Sequence, residues 1–193
     1  MVTMRVYIKE EVLLRKNEVI QKIKGGSIVV HPTDTIYGLG CNATNTKAVN
    51  KIRKIKKRDT MPFSVMAPSK QWIYDNCVVD EEIEKWINRL PGRYTLILKL
   101  KNKKAVSKSV NNGWDTLGVR IPKHWFAYLV QQANVPFVTT SANISGEDFM
   151  TNIDDLDPAI KGKIDFIVYE GPKKGRPSKI VDLTKEKTKI IKR

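Results

Sequence analysis

Short apolar runs rich in β-branched residues alternate with segments of helical periodicity through most of this chain, and no other feature restricts its fold so tightly. A run of four or five apolar residues bounded by turn formers fits a strand, whereas apolar positions three and four apart fit one face of a helix. A first strand is predicted over Arg5–Ile8 and a helix over Glu10–Lys24, with Val12, Val19, Ile20 and Ile23 on one face and Gly25-Gly26 as its stop. A strand over Ser27–His31 runs into a loop ending at Gly40, followed by a helix over Lys47–Lys57 and a strand over Phe63–Met66. Pro68 is expected to open a helix containing Trp72, and Asp80–Leu90 to form another, closed by Pro91-Gly92. Strands over Tyr94–Lys101 and Thr116–Ile121 precede a helix over Lys123–Ala133 and a strand over Pro136–Thr140. Strands over Asp165–Tyr169 and Lys179–Leu183, with an edge strand over Lys189–Lys192, complete the series. Such alternation implies an α/β fold with a largely parallel sheet, and the adjacent strands near 94–121 allow some antiparallel pairing.

The loop after the second strand is unusual. It reads Pro32-Thr33-Asp34-Thr35-Ile36-Tyr37-Gly38-Leu39-Gly40, where hydroxyls offer donors and acceptors and glycines admit a close backbone approach. Three other segments have comparable chemistry. Lys56-Lys57-Arg58 is either a solvated charge run or, if the helix stops near Lys57 and the chain extends, a pair of cations reaching one anion. Thr139–Gly146 carries Ser141 and Asn143 on one side of an extended segment, suited to an oxyanion or equally to a helix cap. Arg120, in the apolar strand Gly118-Val119-Arg120-Ile121-Pro122, needs either a carboxylate or phosphate ligand or a structural salt bridge.

Bulk properties narrow the function. With 193 residues and 41% apolar content, one substantial core is expected, and no apolar run is long enough to span a bilayer. The N-terminus meets Lys9-Glu10-Glu11 too early for a signal-peptide core, so a soluble cytoplasmic protein is expected. Cys41 and Cys77 form no Cys-x-x-Cys pair, which favours buried thiols. A zinc site would require both cysteines, His31 and His124 to converge, so no protein-held metal is predicted. The net charge of +15 argues for a polyanionic partner. The tail from Lys173 to Arg193 carries nine basic and two acidic residues, and fits a solvated edge or an RNA contact equally well. Neither a phosphate-binding loop of the Gly-x-x-x-x-Gly-Lys-Ser/Thr type, a Gly-x-Gly-x-x-Gly fingerprint nor a Gly-x-Ser-x-Gly elbow occurs.

Taken in order, Pro-Thr-Asp-Thr-Ile-Tyr-Gly-Leu-Gly (32–40), Lys-Lys-Arg (56–58), Pro-Gly-Arg-Tyr-Thr-Leu (91–96), Gly-Val-Arg-Ile-Pro (118–122), Thr-Ser-Ala-Asn-Ile-Ser-Gly (140–146) and Gly-Arg-Pro-Ser-Lys-Ile-Val-Asp (175–182) resemble the YrdC-like family of threonylcarbamoyl-AMP synthases. The resemblance covers about 19–182, within a single domain over 1–193 that ends in the basic tail. It implies a twisted, mostly parallel mixed sheet flanked by helices, with a large basic cavity. It further implies an enzyme that joins L-threonine, bicarbonate and ATP into threonylcarbamoyl-AMP and pyrophosphate, with Mg²⁺ carried on the ATP phosphates. A threonylcarbamoyl transferase complex would accept the product for tRNA modification.

By position, the resemblance places Thr35, Arg120, Thr140 and Ser178 at the threonine, with Arg120 on its carboxylate. Lys56 and Arg58 match a catalytic Lys-x-Arg that meets the phosphates, Ser141 and Asn143 match a Ser-x-Asn that meets them too, and Thr116 is a further nucleotide-side residue. Several departures stand out. Met66 falls where longer members carry a histidine, Arg93 replaces a proline, Phe149-Met150-Thr151 replaces Ser-Pro-Thr, and Lys179 replaces a threonine. Lys192 and Arg193 both compete for the family's late adenine-side arginine. A non-catalytic RNA-binding module, motivated by the basic charge, is the rival reading.

Overall fold

A computed structural model describes residues 4–192. Its strands and helices follow one another as β1 (Arg5–Tyr7), α1 (Lys9–Leu14), α2 (Lys16–Gly25), β2 (Val29–His31), β3 (Gly38–Gly40), α3 (Thr46–Lys56), β4 (Ser64–Met66), α4 (Lys70–Asn76) and α5 (Glu81–Asn88). After these come β5 (Tyr94–Lys99), α6 (Lys108–Asn111), β6 (Thr116–Arg120), α7 (Trp125–Ala133), β7 (Phe137–Ser141), α8 (Pro158–Lys161), β8 (Phe166–Val168), β9 (Lys179–Asp182) and β10 (Lys189–Ile191). The strands form one ten-stranded sheet in the order β1-β8-β2-β3-β7-β4-β6-β5-β9-β10.

The expected mixed sheet with helices on both sides is present, but parallel pairing does not dominate. Only β1 with β8, β2 with β8, β4 with β6 and β5 with β9 run parallel. Five pairings are antiparallel. One cause lies in the Pro32–Gly40 segment, expected to be loop throughout. Its last three residues turn back as β3 and pair with β2 in a hairpin, which no crossover helix separates.

Local chemistry explains most helix ends. The Asn45 side chain accepts from Ala48 N at 3.1 Å to start α3, and Lys57, left-handed at φ 49°, ends it. Asp80 caps α5 beside an acidic first turn, and His124 caps α7. Pro68 lies outside α4, which Ser69 caps through Trp72 N. The single helix expected over Glu10–Lys24 is two, broken at Arg15. Nothing in the pattern signals that break, because Val12 and Val19, seven apart, share a face in a continuous helix as well.

The two faces of the sheet are filled differently. On one, Val65, Leu96, Leu98, Leu117, Val119, Val138 and Val181 pack in a single core with Ile52 and Ile55 of α3, Ile73 of α4, Ile87 of α5 and Ile160 of α8. On the other, α1, α2 and α7 cover the β1-β8-β2 end and reach as far as Phe137 of β7 and Met66 of β4, placing Val12, Val19, Ile23, Phe126 and Leu129 against Tyr7, Val29, Phe166 and Val168. Beyond Phe137 and Met66 that covering stops, and a cavity of about 440 Å³ takes its place. No helix among the described residues is long and apolar enough to cross a membrane.

Candidate functional site

Side chains alternate across a strand, so the residues between the core positions of β4, β5, β6 and β7 must face the uncovered side. Thr139, Ser64, Gly118 and Ile97 sit opposite one another across four strands and form the cavity floor. Thr116, Thr95 and Ile180 extend it. Gly118 keeps the floor low, since a β-carbon there would lie 3.1 Å from Ser64 Cβ.

One end of the cavity is built by the Pro32–Gly40 segment. The buried Thr33 and Thr35 hydroxyls bond to each other at 2.9 Å, and Thr33 also donates to the Ile36 carbonyl. Arg120 Nη2 donates to Asp34 Oδ1 at 2.6 Å, with both side chains 7% exposed, and Asp34 Oδ2 accepts from Lys123 N. This pair makes that end nearly neutral although Arg120 lines the cavity. Ser178 and Thr95 share a 2.7 Å hydrogen bond at the same end.

The 170–178 segment straps this end down. Gly175 lies so close to the loop that a β-carbon would overlap the Thr35 carbonyl. Glu170 anchors the strap by accepting from His124 Nε2 (2.9 Å), Lys173 Nζ (2.6 Å) and Trp125 Nε1 (2.7 Å). Burial opposes its charge, but these hydrogen bonds prevail and bring its pKa down to about 2. Tyr37 closes the circuit, donating to the Gly171 carbonyl and accepting from Glu170 N. Beneath, His31 is fully buried and stacked on Phe126 at 4.8 Å, and burial pulls its pKa down to about 3.

The opposite end is cationic. Lys56 and Arg58 leave α3 on either side of the left-handed Lys57, so the chain turns there instead of extending. Lys56, only 1% exposed, donates from Nζ to the carbonyls of Ser141 (2.6 Å) and Asn143 (2.7 Å) and to Asn143 Oδ1 (3.0 Å). Burial, and then the Arg58 charge, lower its pKa to about 7. Ser141 Oγ donates to Asn143 Oδ1 at 2.6 Å, so Lys56 knits the Lys-x-Arg turn to the Ser-x-Asn turn. Arg58 donates to the carbonyls of Met61 and Pro62. A second cavity of about 400 Å³ opens here, lined by Lys56, Lys57, Arg58, Ser141 and Asn143, and shares Arg58, Met61 and Ser141 with the first.

The model of the Sua5/YciO/YrdC family, described as "Telomere recombination", matches residues 21–193. The chain belongs to this family. A Methanocaldococcus jannaschii member ascribed threonylcarbamoyl-AMP synthase activity is 36% identical over 170 residues, 86% of this chain and 79% of that protein. The family member Sua5 of P. abyssi, solved with L-threonine, superposes with a TM-score of 0.86 at 28% identity over 98% of this chain. The present chain spans 56% of that longer protein. E. coli YciO shares the fold at TM-score 0.84 and 23% identity, covering 100% of this chain and 95% of its own.

The family motifs therefore meet in one place. Thr35, Arg58, Thr116, Arg120, Thr140, Ser141 and Ser178 all line the larger cavity, whereas Lys56 and Asn143 line only the smaller one. Phe149 reaches the larger cavity as well, but Met66 does not, being 1% exposed in the helix-covered core. Lys192 lines neither cavity, and Arg193 lies outside the described residues. Sequence reasoning missed the partner of Arg120, the Glu170 anchor and the exposed Trp114 and Met61 at the rim. Asp34 had a signal, as the one carboxylate within the Pro32–Gly40 motif. Glu170 had none, because two of its three partners, His124 and Trp125, are about 45 residues away in sequence and the third, Lys173, is an ordinary neighbouring charge.

Proposed function

We propose that this chain is an L-threonylcarbamoyladenylate synthase, making threonylcarbamoyl-AMP and pyrophosphate from L-threonine, bicarbonate and MgATP. The observation that carries this reading is the division of charge along the joined cavities. The Thr35–Arg120–Ser178 end offers hydroxyls and an arginine balanced by Asp34, which suits a zwitterionic hydroxy amino acid. Across the shared Arg58–Ser141 boundary, Lys57 and Arg58 stand against Asp59 beside the buried Lys56, which an arriving polyanion would hold protonated, and this suits a triphosphate. Arg120 takes the threonine carboxylate, with Thr35, Thr140 and Ser178 around the side chain. Arg58, Ser141 and Asn143 meet the phosphates, Lys56 fixes those turns as well as adding charge, and Thr116 borders the nucleotide.

The chemistry needs no protein nucleophile. Threonine and bicarbonate form the carbamate with loss of water, its oxygen attacks the α-phosphorus, and pyrophosphate leaves with the P–O electron pair. Catalysis is then positioning of two ligands and stabilisation of charge developing at the boundary. Mg²⁺ would enter on the ATP phosphates, keeping most of its waters. The product would pass in the cytoplasm to a threonylcarbamoyl transferase complex, and the basic hairpin β9–β10 would be the part of the chain to touch tRNA. Pyrophosphate release is expected to require both L-threonine and bicarbonate. ATP turnover indifferent to either would reject the synthase, and salt-sensitive RNA binding without turnover would favour the RNA-binding alternative.

A further inference from the structure

Arg53 belongs to none of the motifs and lines neither cavity, yet it is among the most fully bonded side chains in the molecule. It sits one turn before Lys56 on α3, 9% exposed. Its Nη1 donates to the carbonyls of Arg58 (2.9 Å), Asp59 (3.2 Å) and Met61 (3.2 Å). Nε donates to Ser109 O at 2.6 Å and Nη2 to Val110 O at 3.2 Å. All these partners are backbone carbonyls, and they belong to two segments about fifty residues apart in sequence. One is the turn carrying Arg58, Met61 and Pro62, the phosphate-facing wall; the other is α6, which leads to Trp114 and Thr116 on the facing wall.

We propose that Arg53 is the positioning residue of the phosphate-facing turn, fixing the backbone from which Arg58 reaches the cavities. Met61 O accepts from both Arg53 and Arg58, and both guanidiniums lie over the Phe63 ring, at 4.6 and 5.2 Å from its centroid. The turn is thus clamped between two cations, one buried and structural, the other facing the ligand. Asn112 Nδ2 adds a second tether by donating to Thr60 O, and Phe63 N donates to Val110 O at 2.8 Å. Only a planar fork with five donors spans carbonyls on two segments, so lysine, with three donors on one nitrogen, cannot replace it. The consequence for ATP rests on the proposed function, whereas the clamp itself does not.

The test compares Arg53→Lys and Arg53→Gln with the wild type, well below each melting temperature. ATP and pyrophosphate affinities are expected to fall about tenfold, with L-threonine affinity unchanged and amide exchange accelerated only near 58–63 and 109–112. Equal weakening of threonine and ATP, or unchanged exchange and affinity, overturns the proposal. Should both variants fail to fold, the wild type still decides it. The Arg53 Nε–H resonance should be protected from exchange and should shift on adding pyrophosphate but not L-threonine; a rapidly exchanging or unresponsive signal overturns the assignment. A wild type that binds pyrophosphate yet turns over no ATP rejects the synthase and leaves the clamp standing.

Discussion

The basic side chains at the two ends of the joined cavities are held by opposite means. Arg120 is met by a carboxylate, Asp34, at 2.6 Å, so its charge is largely cancelled before any ligand arrives. Arg53, at the other end, bonds only to carbonyl oxygens, which satisfy its donors but leave its formal charge in place. Lys56 bonds likewise to carbonyl and amide oxygens with no carboxylate to balance it, burial holding its pKa at about 7. Hydrogen-bond satisfaction and charge neutralisation are separate tasks, and here they are assigned to separate ends. A neutral end can select by shape and hydroxyls, while a charged end can bind whatever brings several negative oxygens.

The comparison breaks first if the charged end is dispensable. Arg58→Ala is expected to reduce pyrophosphate release by about 100-fold or more while the protein stays folded, judged by steady-state kinetics and circular dichroism. Lys56→Met should match that loss and also lower stability by about 1–3 kcal/mol, because three acceptors lose their donor; denaturant melts measure this. Equal melts for the two variants would mean that Lys56 does not tie the turns together.

The neutral end should give a smaller and more selective effect. Arg120→Gln is expected to weaken L-threonine by about 30-fold in calorimetry, with ATP changed less than about threefold. Asp34→Asn unbalances the same pair and should weaken threonine to a lesser degree, since the arginine survives. If both substitutions act on ATP instead, the assignment of the two ends is reversed.

Acid should loosen the neutral end before the charged one. His31 has a folded pKa near 3, so from pH 6.5 downward the unfolded chain takes a proton that the native state refuses. Stability is then lost at up to about 1.4 kcal/mol per pH unit until pH approaches 3. Glu170, depressed to about 2 by its three hydrogen-bonded donors, adds a loss beginning below about pH 4.5, its ordinary value, because the unfolded chain then takes a proton that the native carboxylate refuses until about pH 2. His31→Phe should flatten the upper part of a pH-dependent denaturation series and Glu170→Gln the lower part. The smallest effect concerns salt. Raising ionic strength from about 0.05 to 0.5 M should weaken ATP several-fold and threonine less than about twofold.

Most of the fold was legible because burial writes a period into the chain. In β6 the core positions Leu117 and Val119 alternate with Thr116, Gly118 and Arg120 on the cavity side, a pattern visible before any coordinate. The α3 stop at Lys57 and the Gly26 stop of α2 were equally open to reading. The parallel bias was overestimated, because local periodicity carries no information on which strand lies beside which. The break at Arg15 and the short α6 and α8 escaped for lack of a distinguishing period.

By itself, the sequence determined, through six ordered motifs, to which family the chain belongs, and it singled out the polar residues that gather around the two cavities. Tertiary structure alone decided how their charges are balanced. Asp34 meets Arg120 across 86 positions, Lys56 meets Asn143 across 87, and Arg53 meets Val110 across 57. Such pairings arise from sheet order and the placement of helix ends, which no local pattern encodes. That is why an arginine legible as a ligand-binding residue proved already partnered by Asp34, and why Arg53, silent in the sequence, proved to be a clamp.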